Sequence, residues 1–144
     1  MRNADLVAVG RLAERIHPHY PEAPVVFAER MTLAPEGCHV LTGDEILGYA
    51  VAHPWTGLAP PPLNSLLGRL PDHPGAWHLH DVALTEAVRS AGYGKRLLDR
   101  WPHGTLVAID GTASYWLALG FRDAPCLDPV ALASYGSGAR FMAR

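Results

Sequence analysis

Trp77-His78-Leu79-His80-Asp81-Val82-Ala83-Leu84-Thr85, followed by Arg89-Ser90-Ala91-Gly92-Tyr93-Gly94, is the stretch on which the fold turns. The first segment is apolar and strand-like. Beyond residue 94, Lys95-Arg96-Leu97-Leu98-Asp99-Arg100-Trp101 reads as a helix that Pro102 stops. A strand, a glycine-containing loop and a helix N-terminus form a place where backbone N–H groups converge on an anion. Gly92 and Gly94 lack a Cβ, so the loop turns sharply and a ligand can approach the main chain. Arg89 and Lys95 flank it with positive charge. The chemistry implied is phosphate or pyrophosphate binding; the plainer alternative is a tight turn that uses glycine for geometry alone.

Two familiar phosphate loops fail at named positions. A P-loop needs a hydroxyl residue where Arg96 stands and a glycine where Arg89 stands. A dinucleotide fingerprint needs a third glycine where the chain has Leu97. What fits is R-x-x-G-x-G, which resembles the coenzyme A pyrophosphate loop of the GNAT superfamily of N-acetyltransferases. Downstream, Ser114-Tyr115-Trp116-Leu117-Ala118-Leu119-Gly120-Phe121 resembles the other signature of that superfamily, a short helix closing on Gly-Phe. Gly120 suits the residue after a helix end. Between the motifs, Thr105-Leu106-Val107-Ala108-Ile109-Asp110 reads as a buried parallel strand. The resemblance is specific over residues 77–121. It implies an α/β fold with a central mixed sheet flanked by helices and a parallel strand pair around the cofactor cleft. Almost nothing precedes the first helix, so the usual N-terminal strand is expected to be short or missing.

Composition agrees with one domain over residues 1–144. A 49% hydrophobic chain of 144 residues furnishes a core. A net charge of −2 argues against a nucleic-acid surface. No apolar run approaches the roughly 20 residues of a membrane span, and residues 1–5 lack a signal-peptide core. Cys38 and Cys126 form no CxxC pair and read as buried thiols of a cytoplasmic protein rather than a disulfide or metal site.

Elsewhere, Asn3 is placed to cap a helix whose apolar positions are Leu6, Val9, Leu12 and Ile16. His17-Pro18-His19-Tyr20-Pro21 must be a loop, and Pro24 suits the first turn of a second helix containing Phe27 and Met31. Residues 38–42 and 46–52 flank Gly43-Asp44-Glu45, a hairpin signal. Residues 53–76 are rich in proline and glycine. They read either as a loop over the acceptor site or as a solvated connection, with Leu63, Leu66, Leu67 and Leu70 hinting at a short helix. The tail reads as a turn and a final strand.

The resemblance assigns roles. Val82, Ala83 and Leu84 would pair their backbone with pantetheine and polarise the thioester of acetyl-CoA. Arg89, Ser90, Ala91, Gly92, Tyr93, Gly94 and Lys95 would hold the pyrophosphate, with Ser114 and Trp116 beside the cofactor. No metal is implied. Acetyl transfer needs a base to take the amine proton, because a lysine-type amine has a pKa near ~10. Counting back from Gly92 puts His78 at the base position, with His80 at i+2; both could equally be hydrogen-bonded sheet residues. The superfamily's usual tyrosine acid is replaced by Trp116, leaving Tyr115, Tyr135 or unassisted departure of a thiolate with pKa near ~8.5. The implied activity is N-acetylation of an amine in a small molecule, peptide or protein, and the resemblance allows a homodimer. A non-catalytic acyl-CoA sensor is the alternative.

Overall fold

A computed structural model describes residues 1–144. Two helices come first, α1 (Leu6–Ile16) and α2 (Pro24–Leu33), followed by the hairpin β1 (Cys38–Thr42) and β2 (Ile46–Trp55). Strand β3 (Ala76–Leu84) leads through the short helices α3 (Glu86–Arg89) and α4 (Tyr93–Leu98) to β4 (Gly104–Ala108). Then come α5 (Ala113–Ala118), β5 (Arg122–Asp123), α6 (Pro129–Ala133) and β6 (Arg140–Ala143). The six strands form one mixed sheet in the order β1-β2-β3-β4-β6-β5. Only β3 and β4 run parallel; the other neighbours are antiparallel. The expected α/β fold with its parallel pair is therefore present, and no strand precedes α1.

Alternation along β2 divides the core. Tyr49 and Val51 pack with Val9, Leu12, Phe27 and Cys38 under α1 and α2. Ala50 and Ala52 pack on the other face with Leu98, Trp101, Leu106, Phe121 and Met142. Burial pushes the Cys38 thiol up to about 11, so it is an inert core group, whereas Cys126 is only half-buried, its thiol donating to Asp128 O at 3.2 Å.

Several local expectations give way. Asn3 opens a short 3₁₀ turn and caps no α-helix; instead the Asp5 carboxylate accepts from the Arg2 N–H at 2.7 Å. Helix α4 starts at Tyr93 and ends at Leu98, because the next bonds tighten to Arg100 N–H to Leu97 O and Trp101 N–H to Leu98 O. That tightening leaves Trp101 stacked on Trp77 in the core rather than on a helix surface. No helix forms at Leu63–Leu70, since side chains have taken its backbone donors. Ser134 Oγ accepts from Leu63 N–H, Glu22 from Asn64 N–H, and Glu29 from Leu67 and Gly68 N–H at 2.8 Å each. The buried Arg30 guanidinium adds a bond to Ser65 O at 2.8 Å. This half of the long connection is thus strapped to α2 and α6 as a fixed wall.

Candidate functional site

One irregularity in β3 creates the site. Val51 faces Asp81 across the β2–β3 ladder, but its neighbour Ala52 faces Leu79, so His80 is an extra residue. A bulge of this kind bends the strand and ends regular pairing. On the other side, the parallel ladder to β4 holds only Trp77–Gly104, His78–Thr105 and Leu79–Leu106. Beyond Leu79 the two strands part. Residues 82–84 remain paired to β2, while their opposite edge carries no strand.

A cleft of about 460 Å³ fills the fork. Val82, Ala83 and Leu84 form one wall and Ile109, Asp110 and Thr112 the other; Tyr115, Trp116 and Arg89 lie along it, and His17 and Tyr20 from the α1–α2 loop complete it. Below it, a smaller cavity of about 80 Å³ is bounded by Glu22, His80, Asp81, Tyr135 and Leu63.

Two hydrogen-bonded chains of polar groups reach these spaces. His80 Nε2 lies 2.9 Å from Glu22 Oε2, with the two side chains only 1% and 5% exposed, and His80 Nδ1 is buried without a partner. Burial alone would raise the Glu22 carboxyl, but the charge and hydrogen bond of His80 hold it below its ordinary value. His17 Nε2 lies 3.3 Å from Asp81 Oδ1, and Asp81 Oδ2 accepts from the Tyr49 hydroxyl at 2.5 Å. Burial works to lower the His17 pKa, yet the Asp81 contact outweighs it and the net shift is upward.

The residues picked from sequence fall into three groups. Val82, Ala83, Leu84, Arg89, Tyr115 and Trp116 line the cleft, and His80 lines the inner cavity. His78 reaches neither: it is 1% exposed, its Nδ1 sits 3.0 Å from Thr105 Oγ1, and burial drives its pKa far down. The loop residues Ser90, Ala91 and Gly92 join α3 to α4, with Gly92 at φ +73°, a backbone that favours glycine. Gly94 is buried, and a Cβ there would lie 2.0 Å from the Tyr115 hydroxyl, so this glycine is what admits Tyr115. The N–H groups of Gly94 and Lys95 have no backbone acceptor. The Tyr93 ring stacks under Arg96, lining a different groove, Lys95 pairs loosely with Asp99, and Ser114 is exposed on α5.

Sequence reasoning missed Glu22, Asp81 and His17 as site residues. Asp81 stands next to His80 in the strand, but the bulge that turns it toward Tyr49 leaves no mark in the residue pattern. Glu22 and His17 lie in a proline-broken loop whose path depends on the whole fold. No group of His, Cys, Asp and Glu is arranged to hold a metal.

The profile of the acetyltransferase (GNAT) family matches residues 7–100. No curated protein matches in sequence. Among solved structures, Ard1 from Thermoplasma volcanium superposes with a TM-score of 0.70 at 17% identity, covering 100% of this chain and 93% of that one. Naa20 of Chaetomium thermophilum, in complex with a bisubstrate analogue, gives 0.70 at 14% identity over 100% and 83%. The GNAT-like decarboxylase GphF, in complex with isobutyryl-CoA, gives 0.70 at 19% identity over 99% and 95%. At these identities the likeness is one of fold.

Proposed function

The chain belongs to the acetyltransferase (GNAT) family, and from that premise we propose that it transfers an acetyl group from acetyl-CoA to a primary amine within a ternary complex. The observation that carries the reading is the fork between β3 and β4, an open cleft that leads inward to the His80–Glu22 pair.

Acetyl-CoA fits the outer cleft. The unpartnered edge of Val82–Leu84 offers backbone groups to an extended amide chain, as a neighbouring strand would. The free N–H groups of Gly94 and Lys95, with Arg89 beside them, suit the pyrophosphate. Tyr115, whose hydroxyl lies over Gly94, is at this phosphate end and away from the inner cavity. That position suits a cofactor contact better than proton donation to sulfur. Trp116 packs edge-on against Phe121 and shapes the cleft floor.

The acceptor amine enters from the inner cavity. Of the two candidate histidines, His80 is the base: it borders that cavity, and Glu22 holds one ring nitrogen while the other has no partner. With Nε2–H donated to Glu22, Nδ1 is free to take the amine proton, the carboxylate stabilising the imidazolium as it forms. The amine lone pair then attacks the thioester carbonyl, and the backbone along β3 supports the developing oxyanion.

Binding is tested by thermal shift. A ligand specific for the folded state adds about 2.7 kcal/mol at a hundredfold excess over Kd, so acetyl-CoA should raise Tm. Gly92→Asp should abolish that rise by placing a carboxylate at the phosphate loop. Nothing lies within 4 Å of an added Cβ, but the left-handed backbone at φ +73° strains any side chain there, so the variant's own melt is the baseline. Undiminished acetyl-CoA binding by this variant would remove the phosphate-loop assignment. An amine-library screen with release of free thiol as readout then separates an enzyme, which turns over, from a sensor, which only binds.

A further inference from the structure

The outer cleft and the inner cavity share six lining residues: His17, Tyr20, Val82, Ile109, Thr112 and Trp116. A donor entering through one and an acceptor through the other must react at this junction. The position where the superfamily usually carries its tyrosine acid holds Trp116, which has only an indole N–H, and the tyrosine that does line the junction, Tyr20, has no hydrogen bond from its hydroxyl to position it. Of the other groups with exchangeable protons, Thr112 spends its hydroxyl on Ile109 O at 2.7 Å. His17 alone is backed by a carboxylate, Asp81 at 3.3 Å, and that carboxylate is itself fixed by the buried Tyr49 hydroxyl.

We propose that His17 is the acid of acetyl transfer, supplying from its ring the proton that the departing coenzyme A sulfur takes, with Asp81 and Tyr49 as positioning residues behind it. The inference rests on the functional reading above. His17 is 18% exposed, so its ring borders the cleft rather than the core. Val82, on the edge along which the donor's arm would lie, lines the same cleft as His17, and with Nε2 held by Asp81 it is Nδ1 that can carry the proton to the donor. Several charged groups bear on it. Asp81 on β3 favours the imidazolium and Arg89 at the end of α3 opposes it; Asp110 beyond β4 and His19 on its own loop line the same cleft. The net shift of His17 is upward, the direction that favours the imidazolium.

The step balances as follows. The amine lone pair forms the N–C bond, and the C–S bond breaks with its electron pair on sulfur. The ring N–H of His17 passes its proton to that sulfur, while the amine proton goes to His80. His17 then regains a proton from solvent and His80 returns one to it.

The test needs no acceptor. Free coenzyme A is bound to the whole chain and its thiol titrated by ultraviolet thiolate absorbance. A thiol beside an imidazolium ionises below about 7.5, whereas the free group does so near ~8.5. Wild type should show the lowered value. His17→Gln should return it by about one unit, a tenfold change in ionisation, with coenzyme A affinity unchanged within about threefold. Asp81→Asn, a second variant at a different element, should move the thiol in the same direction. In multiple turnover, kcat of the wild type should fall on the alkaline side and that limb should vanish in His17→Gln. A bound thiol that titrates alike in wild type and both variants overturns the role of His17 while leaving the cofactor cleft intact. Failure of wild type to bind coenzyme A overturns the functional reading and this inference with it.

Discussion

Replacing His80 with alanine is expected to lower kcat/KM by about 10²–10⁴-fold, the range that a positioned base contributes. His80 borders the inner cavity and not the outer cleft, so coenzyme A affinity should stay nearly constant. The same change leaves Glu22 buried without its histidine, and removing one partner of a buried pair destabilises. Thermal melts must therefore accompany the kinetics. Glu22→Gln is the complementary variant. It keeps the shape of the side chain but removes the charge, and it should lower kcat with a smaller loss of stability. A fall below about threefold in His80→Ala, far under the base-catalysis range, would return His80 to the status of a sheet residue.

The second large effect is acid sensitivity. His53 and His78 lie side by side in the sheet interior, ring centroids 5.6 Å apart, 0% and 1% exposed. Burial, then the nearby histidines, lowers the His53 pKa to about 3 and that of His78 well below its ordinary 6.5. The unfolded chain protonates both near pH ~6.5. Below that value the unfolded state holds more protons than the folded one, so stability is complete above it and drains away as pH falls. For His53 the loss approaches about 1.4 kcal/mol per pH unit below pH ~6.5, and His78 adds to it with the same sign. Set against the whole stability of a small domain, about 5–15 kcal/mol, that is a large loss. The lowered Glu22 carboxyl adds loss of the same sign at lower pH. His17, with its raised pKa, works the other way, its contribution being present below pH ~6.5 and lost as pH rises. Denaturant midpoints should fall steeply as pH drops below ~6.5, and His53→Gln should flatten the slope. A midpoint that stays level down to pH 5 would show that the pair is protonated without cost.

What the residue pattern reveals here is what short-range rules govern. The apolar run 76–84, the glycines at 92 and 94, and the hairpin around Gly43–Glu45 each carry their own geometry, and they sufficed for the sheet and the parallel pair. Helix α6 was legible but overlooked: Asp128 accepts from the N–H groups of Val130 and Ala131, and Pro129 occupies the first turn, a plain start signal. The acceptor side was not legible. Glu22 meets His80 across 58 positions, and Asp81 meets Tyr49 across 32. Such partners come together only once the sheet and the α1–α2 loop have been assembled, and nothing in local periodicity announces them.

The extra residue at position 80 also means that β3 keeps two separate counts of inside and outside. Trp77, Leu79 and Val82 all pack on the Trp101–Phe121 layer, whereas Ala83 packs with Tyr49 on the opposite one. Strict alternation would have put Val82 on the face opposite Leu79. Removing residue 80 would therefore not turn the rest of the strand over: Val51–Asp81 and Ala52–Leu79 would follow one another in a regular ladder, Val82 would stay on the Leu79 face, and only the bend would be lost. Substitution at this position interrogates chemistry, while deletion interrogates architecture. A change of side chain at 80 alters the group presented to the inner cavity, whereas a change of length there alters the bend at which β3 and β4 part.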